Sequence, residues 1–150
     1  MKPVYLLDTC IVSEPVKPVF SEGVIAKLAK HDGLCAIPSI VWHELRYGTD
    51  RMPESKRKKR LQAYLQEVVA PFLPVIPYDE HAAWMHANIR IDLEQAESGS
   101  RTLPFADGQI AAIALANNLV LVTRNLHDFS GIRHLAVENW FDCEPANGST

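Results

Sequence analysis

Two short apolar runs lie near opposite ends of the chain, Val4-Tyr5-Leu6-Leu7 and Leu119-Val120-Leu121-Val122. Each is continuous rather than alternating, and each stops at a polar residue, Asp8 or Thr123. Continuous runs of this length read as strands buried on both faces, the signature of a parallel sheet. Between them, strand-like and helical patterns alternate. That order predicts an α/β domain with a mostly parallel central sheet of four to five strands, and the length of 150 residues predicts one domain, 1–150.

Local signals set the intervening elements. Ser21 caps a helix through about His31, and Gly33 stops it. Leu34-Cys35-Ala36-Ile37 is the next strand. Pro38-Ser39 opens a helix with Ile40, Val41 and Leu45 on its apolar side, ending at Gly48. Pro53 opens a longer helix with Leu61, Tyr64, Leu65, Val68 and Val69 on one buried face, ending at Pro71. Leu73-Pro74-Val75-Ile76 is a weaker strand, because proline donates no ladder hydrogen bond. Asp79 caps a long helix buried through Ala82, Met85, Ile89 and Leu93. Residues 105–117 form a helix apolar nearly all round. A last strand falls at Leu135-Ala136-Val137, and residues 145–150 read as a frayed tail.

A formal charge of -3 gives no global basicity. Cys10, Cys35 and Cys143 show neither disulfide-scaffold nor zinc-ligand spacing, which predicts reduced thiols and a cytoplasmic location. The N-terminal apolar run is too short for a signal peptide, and the longest uncharged stretch is too short and too polar to span a bilayer.

In sheets of this class ligands bind beyond the carboxyl ends of the strands. Acids fall there repeatedly. Asp8 closes the first strand, Asp128 follows Asn125 after the Leu119–Val122 run, Glu44 lies in the second turn of the helix after Pro38, and Asp107 lies near the start of the buried helix. Singly, each has an ordinary structural role. Asp8 can cap a short helix, Asp107 can complement a helix dipole, Glu44 can sit on a solvated face, and Asp128 can serve a turn. Jointly, carboxylates in apolar settings need an arginine, capping amides or a metal ion. A hard divalent cation removes their mutual repulsion, and an all-oxygen donor set favours Mg²⁺ or Mn²⁺ over zinc.

Other motifs fail. His43-Glu44 begins like H-E-x-x-H, but Tyr47 stands where the second histidine belongs. His81 and His86 do not share a helix face. No nucleotide-binding glycine loop or nucleophile elbow is present. One basic run stands out, with Arg46, Lys56, Arg57, Lys58, Lys59 and Arg60 as candidate RNA phosphate contacts. A solvated helix face reads the same way.

These segments resemble the PIN-domain family, and within it the VapC-type toxins. The resemblance rests on Leu6-Leu7-Asp8-Thr9 with Ser13-Glu14, and on His43-Glu44-Leu45-Arg46-Tyr47-Gly48. It continues through Pro104-Phe105-Ala106-Asp107-Gly108-Gln109-Ile110-Ala111-Ala112, Thr123-Arg124-Asn125 with Asp128-Phe129, and Val137-Glu138-Asn139-Trp140. The pieces occur in family order over nearly the whole chain.

The resemblance implies a three-layer α/β/α fold and a Mg²⁺- or Mn²⁺-dependent endoribonuclease, the toxin of a toxin–antitoxin pair. It implies a metal site of Asp8, Glu44 and Asp107. Asp128 stands in for the family acid missing at Asn125 as a further catalytic candidate, and the hydroxyls of Thr9, Ser13 and Thr123, with Asn125, read either as supports for the carboxylates or as capping and turn residues. Many members carry an aspartate at the place of Asn125 and an asparagine at the place of Cys10. The family also implies an RNA substrate, a cognate antitoxin, a homodimer and no membrane; the apolar helix surface such contacts need falls around Trp42, Tyr47, Leu61 and Tyr64, of which Leu61 and Tyr64 belong by default to the monomer's own core. Two other classes compete. One is a non-catalytic RNA- or protein-binding module, and the other is an aspartyl phosphotransfer or phosphatase domain.

Overall fold

The computed structural model describes residues 2–142. Five strands form one sheet in the order β3-β2-β1-β4-β5, every neighbouring pair parallel. They are β1 (Tyr5–Leu7), β2 (Cys35–Pro38), β3 (Val75–Ile76), β4 (Val120–Val122) and β5 (Val137–Glu138). The helices are α1 (Thr9–Val12), α2 (Glu22–Lys30), α3 (Ser39–Asp50), α4 (Lys56–Tyr64), α5 (Ala70–Phe72), α6 (Glu80–Glu94) and α7 (Phe105–Ala116). They flank the sheet to give three layers, α/β/α.

β1 is the middle strand. Leu6 and Leu7 are fully buried, as are Ala36 and Ile37 of β2 and Leu121 and Val122 of β4. Burial on both faces explains why these runs carry no polar alternation. Each fully buried Leu, Ile or Val contributes about 1.5–3 kcal/mol of transfer free energy. α7 adds Ile110, Ala111, Ala112, Ile113 and Ala114, all buried. Trp140 is fully buried, donates from Nε1 to Glu138 Oε1 at 2.9 Å, and packs against the rings of Tyr5 and His31.

Caps fall where the sequence places them. Ser21 accepts from the Val24 N–H, and Asp79 accepts from the Ala82 N–H at 2.9 Å. Past the end of α2 at Lys30, Gly33 adopts φ +84° in the turn closed by the Leu34 N–H donating to the His31 carbonyl at 2.9 Å.

Several boundaries differ from expectation. α3 continues through Gly48 to Asp50, because one glycine costs a helix interior only about 1 kcal/mol. Ser55, not Pro53, opens α4, accepting from the Lys58 N–H. The predicted single helix to Pro71 is interrupted by one π-helical stretch, Leu65–Val69. The wider turn keeps Leu65 and Val69 buried and turns Val68 outward. On α6 the buried line passes through His86 rather than Met85. β5 lies two residues later than expected, where Val122 registers with Glu138. Cys143 and the tail at 145–150 lie outside the described residues.

Candidate active site

The sheet register builds the site. Leu7 pairs with Val122, so the residues that follow, Asp8 and Thr123, emerge side by side. The Asp8 N–H donates to the Val122 carbonyl at 3.0 Å, and the Thr123 N–H donates to the Glu138 carbonyl at 3.0 Å. The two strand ends are therefore fixed by backbone bonds before any side chain acts.

Asp8 serves two roles at once. Its Oδ1 accepts from the Thr9 N–H at 2.8 Å, which makes it the N-cap of α1. Its Oδ2 accepts from the buried Thr123 hydroxyl at 2.7 Å. The Thr123 oxygen in turn accepts from the Asn125 N–H at 3.1 Å. Capping and site geometry are thus one arrangement, with the carboxylate clamped at both oxygens. Asn125 takes part through its backbone.

Thr9 extends the network. Its hydroxyl donates to Glu44 Oε2 at 3.0 Å, reaching from α1 to the second turn of α3. Glu44 is exposed at the rim of the crevice. Ser13 does not join it. The Ser13 hydroxyl donates to the Thr9 carbonyl at 2.8 Å, closing the end of α1.

Asp107 lies in the first turn of α7 and is half-buried. Among the described residues it has no hydrogen-bond or ion-pair partner. Its carboxyl is held above the usual range, first by burial and then by the charges of Asp8, Asp128 and Glu44. The four acids therefore share one electrostatic neighbourhood. Among the described residues, no three His, Cys, Asp or Glu side chains are grouped tightly enough to enclose a metal ion by themselves.

Asp128 sits in a 3₁₀ turn, Leu126–Phe129. Arg101 fastens that turn from outside. Its Nη2 donates to the Asp128 carbonyl at 2.8 Å, and its Nη1 donates to the Ser130 carbonyl at 2.8 Å. Sequence pattern did not single out Arg101, since its contacts are to main-chain oxygens almost thirty residues away. The Cys10 thiol is pushed up chiefly by burial, with hydrogen bonds to the Arg124 backbone and Thr123 pulling back and the Asp8 charge pushing further. It therefore stays a neutral thiol, tied to the end of β4 where family members often place an amide.

The basic run divides. Lys58 is 8% exposed, with its ammonium 2.7 Å from Glu54 Oε1. That removes it from the side chains able to reach a phosphate. Arg46 pairs with Asp50 at 3.3 Å and lies over the Trp42 ring, facing a separate groove with Gln62 and Gln66. Arg57 faces a groove of about 320 Å³ whose other walls include Thr9, Glu44, Leu45 and Leu61. Tyr64 also lines it, but its hydroxyl donates to the Val12 carbonyl at 2.7 Å and belongs to the internal packing of α4 on α1. Tyr47 is exposed and Trp42 half-buried.

A parallel α/β/α domain that gathers carboxylates beyond β1 and β4 defines a class of proteins with an acidic crevice at the strand ends. Known proteins of that architecture match this chain closely. The family model for the PIN domain matches residues 5–135. Toxin FitB of Neisseria gonorrhoeae is 32% identical over 91% of this chain and 99% of its own length. Ribonuclease VapC2 of Rickettsia felis is 32% identical over 91% of this chain and 98% of its own length. The crystal structure of FitAcB from N. gonorrhoeae superimposes with a TM-score of 0.81 at 30% identity, covering 93% of this chain and 99% of that one. The chain belongs to the PIN-domain family, in its VapC-type branch.

Proposed function

We propose that this chain is a divalent-metal-dependent endoribonuclease, the toxin of a toxin–antitoxin pair. The observation that carries this reading is Asp107: a half-buried carboxylate without a counter-charge, in the field of Asp8, Glu44 and Asp128. Such a group calls for a cation.

Asp8, Glu44 and Asp107 are the residues that would hold Mg²⁺ or Mn²⁺. Their donors are all oxygen, and Mg²⁺ commonly takes only one or two carboxylates and keeps its remaining ligands as water, which suits acids that do not close directly around an ion. When bound, such an ion lowers the pKa of a water molecule and neutralises charge on the phosphoryl oxygens. The protein supplies the rest. The Thr9 amide and the Thr123 hydroxyl hold the Asp8 carboxylate in one orientation, and the Thr9 hydroxyl holds Glu44. Asp8 or Asp107, at the carboxylate cluster, orients the attacking water or takes its proton. The water oxygen bonds to phosphorus in line, the P–O3′ bond breaks, and the departing oxygen gains a proton. Asp128 adds negative charge at the far side of the crevice, where Arg101 steadies its backbone.

A toxic nuclease requires a protein that restrains it, and the VapC-type resemblance supplies both an antitoxin and a homodimer as partners. Exposed Tyr47, Phe72 and Trp84 support protein contacts. No helix among the described residues is long and apolar enough to cross a membrane.

The test compares single-stranded and structured RNA with Mg²⁺, Mn²⁺ or EDTA. Cleavage that EDTA stops, and that Asp8→Asn and Asp107→Asn abolish without unfolding, is the expected result. Cleavage that persists in both variants overturns it. Absence of Mn²⁺ binding by calorimetry, with RNA binding intact, favours the non-catalytic module instead.

A further inference from the structure

Of the four acids, Glu44 lines a groove that runs away from the site along α4. It runs on into a second concavity lined also by Pro15, Pro18 and Arg60, the two sharing Val16, Lys17, Arg57 and Leu61. α4 explains this placement. Residues 57, 60, 61 and 64 follow the i, i+3, i+4, i+7 spacing of one helix face. Tyr64 anchors that face to α1 through its bond to the Val12 carbonyl. Arg57 therefore lines the groove together with Glu44, and Arg60 lines its continuation. Lys59 lies on the opposite side of the helix, and Lys58 is occupied by Glu54.

Charge completes the pattern. Neither Arg57 nor Arg60 has an acidic partner among the described residues, in contrast to Arg46 and Lys58. Lys17 stands across the groove on the 3₁₀ turn after α1, paired at 3.1 Å with Glu14, yet its side chain is 48% exposed. A chain of phosphates that enters the acidic crevice needs cations on its way out, and these are the ones in line with it.

Resting on the nuclease reading above, we infer that single-stranded RNA leaves the scissile position along this groove, its next phosphates bound by Arg57 and Arg60 with Lys17 on the facing wall. The half-buried apolar floor at Leu45 and Leu61 receives the base between them without hydrogen-bond readout. Arg57 and Arg60 lie one helical turn apart, about 5–6 Å at Cβ, so they meet successive phosphates rather than one. Lys56, Lys59 and Arg46 take no part.

Salt dependence tests this directly. Binding of a fluorescent single-stranded RNA is measured by anisotropy in EDTA, where cleavage is off, across a salt series. Each phosphate contact contributes about 0.7 to the slope of log K against log salt for single strands. The expected result is a slope smaller by about 0.7 for Arg57→Ala and by about 1.4 for Arg57→Ala/Arg60→Ala. Lys56→Ala and Lys59→Ala leave it unchanged, and Arg57→Lys retains it. Equal effects of all four alanine changes, or none from the arginine pair, overturn the inference while Mg²⁺-dependent cleavage by the parent keeps the nuclease reading. A parent that binds no single-stranded RNA in EDTA overturns the inference, while Mg²⁺-dependent cleavage by that parent decides the nuclease reading separately. Circular dichroism confirms folding of each variant, and Arg57→Glu gives a second, larger change in the same direction.

Discussion

Thr123 Oγ1 stands 2.7 Å from Asp8 Oδ2 and donates to it, linking residues 115 apart in the chain. Thr123 is fully buried, and the same oxygen receives the Asn125 N–H. Replacing it by valine keeps the shape and removes both bonds. A hydrogen bond to a charged group contributes about 1.5–3 kcal/mol. Thr123→Val should lose that much stability in urea denaturation and reduce kcat at least about tenfold with KM little changed. Thr123→Ser should restore most of both. Unchanged kcat in the valine variant would separate this bond from catalysis.

Gly108 packs against His86, and a Cβ on Gly108 would meet the imidazole Nε2. His86 cannot retreat freely, since its Nδ1 shares a hydrogen bond with the Tyr78 hydroxyl at 2.9 Å and its ring meets Phe105 edge-on. Gly108→Ala should cost about 1–3 kcal/mol from overpacking, less the roughly 1 kcal/mol that alanine adds to a helix. In a His86→Ala background the same change should be neutral or stabilising. Equal costs in both backgrounds would refute the contact.

Burial, then Arg90, lowers the His86 pKa. The folded state therefore binds this proton less readily than the unfolded chain. Stability contributed by the neutral ring is present above the ordinary histidine value of about 6.5 and lost as pH falls through it. His86→Gln should flatten the pH dependence of unfolding between about pH 7 and 5. A slope unchanged by this substitution would locate the effect elsewhere.

Asp107 has the opposite sign. Its folded pKa is raised, so stability is fullest below the ordinary aspartate value of about 3.9 and falls as pH rises through the raised value. Without divalent ions, Asp107→Asn should be more stable than the parent at pH 7, with the difference vanishing in acid. Added Mn²⁺ should raise the melting temperature of the parent and leave that of the variant nearly fixed. A variant less stable at pH 7 would mean that Asp107 has a counter-charge after all.

Much of the site was legible because its groups follow strand ends, and strand ends were marked by Leu7-Asp8 and Val122-Thr123. Caps at Ser21 and Asp79 were legible for the same local reason. The π-helical stretch was not, since Leu65 and Val69 satisfy an α-helical pattern and only packing reveals that Val68 faces out. Glu14 reads in sequence as part of a motif, yet it is 4% exposed and accepts from the Ser21 N–H at 2.7 Å, a bond across a seven-residue loop that no periodic pattern marks. Likewise, the basic run looked uniform until helix geometry separated Arg57 and Arg60 from Lys58.

β1 sits in the centre of the sheet, and its partner β4 is made more than a hundred residues later. Until Thr123 has left the ribosome, Asp8 lacks its clamp and the middle strand lacks one whole edge. The carboxylate cluster is therefore assembled only when nearly the whole polypeptide has been made, and a chain cut short before β4 carries Asp8 without its anchor.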